Sequence, residues 1–181
     1  MVITDDNFAS IVSAVEEGRG IYDNIIKFVN YLLSSNIAEL LVIFMGMLLG
    51  FTDRAGNAFV SLSAVQLLWM NLVTDGFPAI ALGLDPLDPG AMDRAPRKSS
   101  EPILSFRFAL QISLVSLTIA AGALIACHFG LRQSVPLAQT MALTILVVMQ
   151  LVRIQMIRSQ YHMGLFSNRW LVFALAGSLA L

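Results

Sequence analysis

Long apolar runs separated by short polar stretches set the pattern of this chain. The runs extend from Phe28 to Gly50, Ser61 to Gly83, Leu104 to His128 and Leu137 to Ile157. At about 1.5 Å of rise per residue, each is long enough as a helix to cross a hydrocarbon core of about 30 Å. A fifth run opens at Trp170, but the twelve residues to Leu181 reach only about 18 Å. The chain is therefore expected to be a fragment that stops within a membrane helix. Ahead of the first run the pattern is amphipathic. Phe8, Ile11, Val12 and Val15 fall at i, i+3, i+4 and i+7 on one helical face, with Asp5 or Asp6 placed to cap it. Gly18 and Gly20 interrupt the stripe, which Ile21, Tyr22, Ile25 and Ile26 resume. Residues 1–27 are thus expected to form a stalk that packs on a body outside this chain, on the membrane surface as an interfacial helix, or on itself.

Composition agrees with that pattern. Hydrophobic residues make up 57% of the chain and charged residues 13%, and the mean hydropathy is +0.76, all far from a soluble domain. The expected fold is an all-α membrane protein: a transmembrane helical bundle of four full spans and a truncated fifth, with a short stalk helix. The single cysteine, Cys127, excludes an internal disulfide and a Cys-rich metal site. Met1 to Asp6 holds no basic region followed by an apolar run, so no cleavable signal peptide is expected. Charge is informative through its distribution. Arg19, Lys27, Arg94, Arg97, Lys98, Arg107, Arg153, Arg158 and Arg169 fall on one side of the proposed spans, against Arg54 and Arg132 on the other. That asymmetry puts the N-terminus and the proline-rich loop Leu84 to Lys98 in the cytoplasm. Arg153 is expected to snorkel towards the headgroups. His128 and His162, at segment ends, read as interface residues rather than metal ligands.

Against this apolar background two carboxylates need explaining. Glu39 lies within the first run and Asp75 within the second. A charge at the bilayer centre costs roughly 2.5 to 3.5 kcal/mol on insertion scales, so an intramembrane acid is a functional-site candidate with a partner to be found. Asn36 and Glu39 stand at i and i+3; Asn71, Thr74 and Asp75 stand at i, i+3 and i+4, which places them on one face of an α-helix. Gly76 weakens that helix and Pro78 cannot donate its backbone hydrogen bond, so carbonyl oxygens nearby are freed for ligands or neighbours. The short loop Phe51 to Val60 makes the two spans a hairpin that can bring the five polar residues together. Two carboxylates, two amides and a hydroxyl suit a dehydrated hard cation such as Ca²⁺ or Na⁺. Interhelical polar glue and a protonated carboxyl pair on a proton path are the alternatives.

These residues also carry a resemblance. Val15-Glu16-Glu17-Gly18-Arg19-Gly20-Ile21-Tyr22, Ser34-Ser35-Asn36-Ile37-Ala38-Glu39, Gln66 to Gly76 and Met92-Asp93-Arg94-Ala95-Pro96-Arg97, with Asp5-Asp6-Asn7-Phe8 before them, are together similar to the C-terminal membrane region of P-type cation-transporting ATPases, above all the sarcoplasmic-reticulum type of calcium pump. The resemblance covers nearly the whole chain and is dense from Asp5 to Ser105. It makes the first span the family's fifth membrane helix and the truncated one its ninth.

By that resemblance Asn36, Glu39, Asn71, Thr74 and Asp75 match calcium ligands. A glutamate of the family's eighth helix is matched by Gln150, a departure that removes a negative charge, puts a second calcium site in doubt and implies one ion per cycle or an altered counter-ion arrangement. The transported cation implied is Ca²⁺, with ATP and Mg²⁺ needed only by the complete pump. The family's Asp-Lys-Thr-Gly phosphorylation motif and its Gly-Asp-Gly-Val-Asn-Asp hinge do not occur in these residues, so the chain is not expected to hydrolyse ATP alone. The resemblance implies the lipid membrane, the missing N-terminal helices and the missing cytoplasmic domains as partners, no nucleic acid, and a multi-pass location in the plasma membrane if the source is bacterial. The alternative is a non-catalytic membrane remnant, or a subunit that assembles with a pump.

Overall fold

The computed structural model describes residues 7–52, 56–57, 59–96, 104–164 and 166–180, without the side chains of 179 and 180. Asp5, Asp6, Arg54, Arg97, Lys98 and Leu181, which enter the expectations above, lie outside these residues. Among the described residues the fold is all helical and carries four helices long and apolar enough to cross a membrane.

Helix α1, Phe8–Leu48, is 41 residues long, about 60 Å, or twice the thickness of a hydrocarbon core. Asn7 caps it by accepting from Ala9 N at 3.0 Å. The helix runs unbroken through Gly18 and Gly20, so these glycines do not divide it. Gly20 has a different use. A Cβ there would stand 1.7 Å from Leu87 Cδ2, and the missing side chain leaves a notch into which Leu87 fits.

The second span is built from α2, Ala64–Trp69, a π-helical turn over Met70–Asp75, and α3, Gly76–Gly83. It opens on a reciprocal cap: Ser63 Oγ accepts from Gln66 N at 3.2 Å and Gln66 Oε1 accepts from Ser63 N at 2.9 Å. Helix α4, Phe106–Leu131, and α5, Val135–Ser159, form a tight hairpin, each capped by a serine, Ser105 and Ser134. Gly130 is required at its turn, because a Cβ there would come within 2.5 Å of Ala138 Cα. Helix α6, Arg169–Ala180, closes the described chain.

Helix α1 is the central post, touching α3, α4 and α5, while α6 rests on α3. Small buried residues, among them Ala38, Ala120, Ala123, Ala138 and Ala142, let the helix backbones approach closely. The outer surface stays apolar: Leu40, Phe44, Leu72, Phe77, Leu117 and Ile125 are exposed. In water such a surface would aggregate; against lipid tails it is at no disadvantage.

The loop after α3 is fastened to the stalk portion of α1. Arg19 donates to Ala91 O at 2.8 Å and Arg94 O at 2.7 Å. Arg94 pairs with Asp23 and, at 3.3 Å, with Asp88; the Asp23 carboxylate raises the Arg94 pKa further above its ordinary value. At the root of the loop Asp85 is buried and meets Lys27 Nζ at 3.1 Å, Arg158 Nε at 3.1 Å and Asn168 Nδ2 at 3.0 Å, while its carbonyl accepts from Asn24 at 2.8 Å. One carboxylate thus ties together α1, α3, α5 and the start of α6.

Arg153 departs from expectation. It does not reach out to headgroups; it is 2% exposed and its Nη2 donates to Asn30 Oδ1 at 2.8 Å. The physical reason is that α1 packs against α5 and sets Asn30, within the first apolar run, against this part of it. The guanidinium finds an amide of α1 where open interface was expected.

Candidate cation site

Pro78 shapes the site before any charge does. In a regular α-helix its nitrogen would donate to the carbonyl of Thr74; lacking a proton, it leaves that oxygen free. The preceding turn widens into the π form across Met70–Asp75, a local distortion that recurs at functional sites. Tyr31 of α1 supplies the missing donor. Its hydroxyl lies 3.2 Å from Thr74 O and 2.9 Å from Asp75 Oδ1, sharing one proton between a freed carbonyl and a carboxylate.

The π turn also alters the face expected from α-helical spacing. Thr74 and Asp75 are buried, while Asn71 stands at the exposed edge. Asn71 reaches back with its amide, donating to Glu39 Oε2 at 3.0 Å and to Leu67 O at 3.0 Å. The other oxygen of Glu39 accepts from Gln150 Nε2 of α5 at 3.2 Å. Glu39 thereby joins three spans, and no cation is bonded to it among the described residues.

Asp75 is 1% exposed and Glu39 3%, and the two carboxyl groups are near enough to interact electrostatically. Two further oxygens at this place lack any donor among the described residues: Asp75 Oδ2 and Gln150 Oε1, both buried. An unpaired buried acceptor is costly and uncommon. The site is therefore rich in oxygen and poor in protons to share with it. Asn36 is the exception in the expected set: it is half-buried and its Nδ2 turns back to Leu32 O on its own helix at 2.8 Å.

Among the described residues no group of three or more His, Cys, Asp or Glu side chains is placed to hold a metal ion. What the spans bring together is a pair of acids supplemented by amides, a hydroxyl and a freed carbonyl, the donor set of a hard cation. The amides add adaptability. Each presents a donor and an acceptor, so a 180° turn of Asn71 or Gln150 replaces a hydrogen bond to Glu39 with an oxygen directed at an ion.

Tyr31 is the participant that sequence reasoning overlooked. The signal was present: Tyr31, Ser35 and Glu39 follow at i, i+4 and i+8, a polar stripe along one side of α1. Within an apolar run an isolated tyrosine reads as one more aromatic, and only Asp75 opposite its hydroxyl distinguishes it.

Comparison with known proteins follows the same lines. Residues 59–181 match the family model described as cation transporting ATPase, C-terminus. A calcium-transporting ATPase 1 of Bacillus cereus (strain ATCC 10987 / NRS 248) is 38% identical over 198 aligned positions, covering 97% of this chain and 21% of the relative. A calcium-transporting ATPase of Bacillus subtilis (strain 168) is 36% identical over 187 positions, covering 100% of this chain and 20% of the relative. The chain spans about a fifth of the length of these curated relatives. With a family match across most of its length and a helical membrane bundle of the matching kind, the chain belongs to the C-terminal region of the cation-transporting ATPases.

Proposed function

We propose that this chain is the ion-binding membrane part of an ATP-driven transporter and that the cation is calcium. The observation that carries the reading is the buried Glu39 and Asp75 pair, linked across α1, the π turn and α5, with two orphaned oxygens beside it. A pair of carboxylates in a dry interior is poorly stabilised without a counter-charge, and a bound divalent cation supplies one. The curated relatives are calcium-transporting ATPases, which favours Ca²⁺ among the hard cations. Glu39, Asn71, Thr74 and Asp75 are the proposed ligands, with Asn36 joining them if its amide leaves Leu32, and Gln150 offering Oε1.

In this reading α1 carries the coupling. Its outer end, ahead of Arg19, stands clear of the bundle with Phe8, Val12 and Val15 exposed, a face for the cytoplasmic domains of the complete pump, where ATP and Mg²⁺ are used. Its inner half carries Tyr31 and Glu39. A shift of the stalk moves both ends of one rigid helix, and with it the hydroxyl that holds Asp75. The stalk and the loop 84–96 face the cytoplasm, and in a bacterial source the bundle lies in the plasma membrane.

The test is Asp75→Asn in the complete pump, with phosphorylation by ATP followed against calcium concentration. Loss of calcium-dependent phosphoenzyme is expected, and full activity in that variant would sink the ligand assignment. An antibody to the 84–96 loop gives a separate check: a native product several-fold heavier than 19.7 kDa fits the pump, and one of that mass favours a subunit that assembles with other chains.

A further inference from the structure

Arg153 has no role in the site described above, and its placement is unusual. It is buried in the bundle, forms no ion pair among the described residues, and leaves its Nε without an acceptor. Its one described bond goes to a neutral amide, Asn30 Oδ1. An isolated cation in such surroundings is costly to bury. Nothing similar holds for Arg158, five positions further along α5, which is matched to Asp85.

Position relates Arg153 to the carboxylates. It lies one turn from Gln150, whose amide touches Glu39, and Asn30 adjoins Tyr31, whose hydroxyl touches Asp75. Asn30 and Glu39 are separated by roughly 13 Å of rise along α1. At that range, in a medium with an effective dielectric constant near 20, unit charges still interact by more than thermal energy, and the screening that salt gives at a surface is weak inside a membrane protein. Setting aside Asp85 with Lys27 and Arg158, which are paired among themselves at the root of the loop, the buried charge nearest the site is then two negatives and one positive. One divalent cation brings the sum to one positive, while two would bring it to three.

We infer that Arg153 is a specificity-determining residue: a resident positive charge that restricts the Glu39 and Asp75 site to a single cation and weakens the affinity for it. This rests on the cation-site reading and goes beyond it, since it assigns the occupancy to a residue that is not a ligand. Asn30 holds the guanidinium without neutralising it.

The experiment uses the complete pump in membrane vesicles, with ⁴⁵Ca binding at equilibrium and calcium uptake as readouts. The wild type should bind one calcium per phosphorylatable pump. In Arg153→Gln the half-saturating calcium concentration should fall at least threefold while maximal uptake stays within twofold, and Arg153→Lys should behave as wild type. A gain in affinity is not what a damaged fold produces. Should Arg153→Gln fail to accumulate, Asn30→Asp decides the matter, because it sets a carboxylate against the guanidinium and should give the same gain. Two calcium ions bound by the wild type would overturn the inference, as would unchanged or weakened affinity in the variant that accumulates, the result expected if an acid elsewhere in the pump already pairs with Arg153. If the wild type binds no calcium at all, it is the cation-site reading that fails.

Discussion

Two buried carboxylates on either side of α3 have opposite surroundings. Asp85 is 4% exposed and is met by Lys27, Arg158 and Asn168, so that both its oxygens are held by charged or amide donors. Asp75 is equally buried, yet it has one hydroxyl on one oxygen and no donor on the other. The first is a finished ion pair with a surplus of positive charge. The second is left short of donors, and in the proposed function it is half of a cation's shell. Stability asks that buried charge be satisfied by the protein itself; binding asks that some of it be left for a ligand to satisfy. In the proposed function the two acids divide those requirements between the root of a loop and the middle of the bundle.

That division predicts opposite responses to substitution. The largest effect is expected at Asp85. Asp85→Ala removes the carboxylate that Lys27 and Arg158 share, and breaking a buried pair from one side costs about 3 to 5 kcal/mol, seen as a large fall in the unfolding temperature of the purified membrane protein. Asp75→Asn, which abolishes calcium-dependent phosphorylation in the proposed function, should leave that temperature in the absence of calcium unchanged or raised. Equal destabilisation by the two would erase the distinction.

Tyr31→Phe is expected to come next. It removes the hydroxyl shared by Asp75 and Thr74 O, a hydrogen bond worth about 1 kcal/mol net, and should shift half-maximal calcium activation by several-fold with modest loss of stability. The smallest effect belongs to Arg94→Ala. Its pairs with Asp23 and Asp88 hold the loop, but the side chain is 47% exposed, and pairs of that kind contribute about 0 to 1 kcal/mol. Added salt should reduce even that difference, which thermal melts in low and high salt would reveal.

Much of this arrangement was legible in the sequence. The four apolar runs gave the four spans because the hydrocarbon core fixes the length a helix must have. Glu39 and Asp75 stood out because a carboxylate there is expensive. Pro78 announced a freed carbonyl, and Thr74 O is that carbonyl, since proline has no proton to give it. Three readings needed the folded chain. Arg153 looked like an interface residue, because the sequence places it near the end of a run but does not show Asn30 of α1 packed against it. Asp85 looked like one acid in a polar loop, because its partners are 58 and 73 positions away. Asn71 was expected to share a face with Asp75, and the π turn set it at the edge.

What the sequence determined by itself is whatever follows from local cost: membrane class, span number, and the two runs that had to hold something polar. These are set residue by residue, by the free energy of placing each side chain in lipid. What only the tertiary structure decided is which polar groups are satisfied. Asp75 is left short and Asp85 is not because α1, α5 and α6 bring Lys27, Arg158 and Asn168 to one and a single tyrosine to the other. Satisfaction is a property of neighbours, and in a bundle the neighbours come from distant parts of the chain.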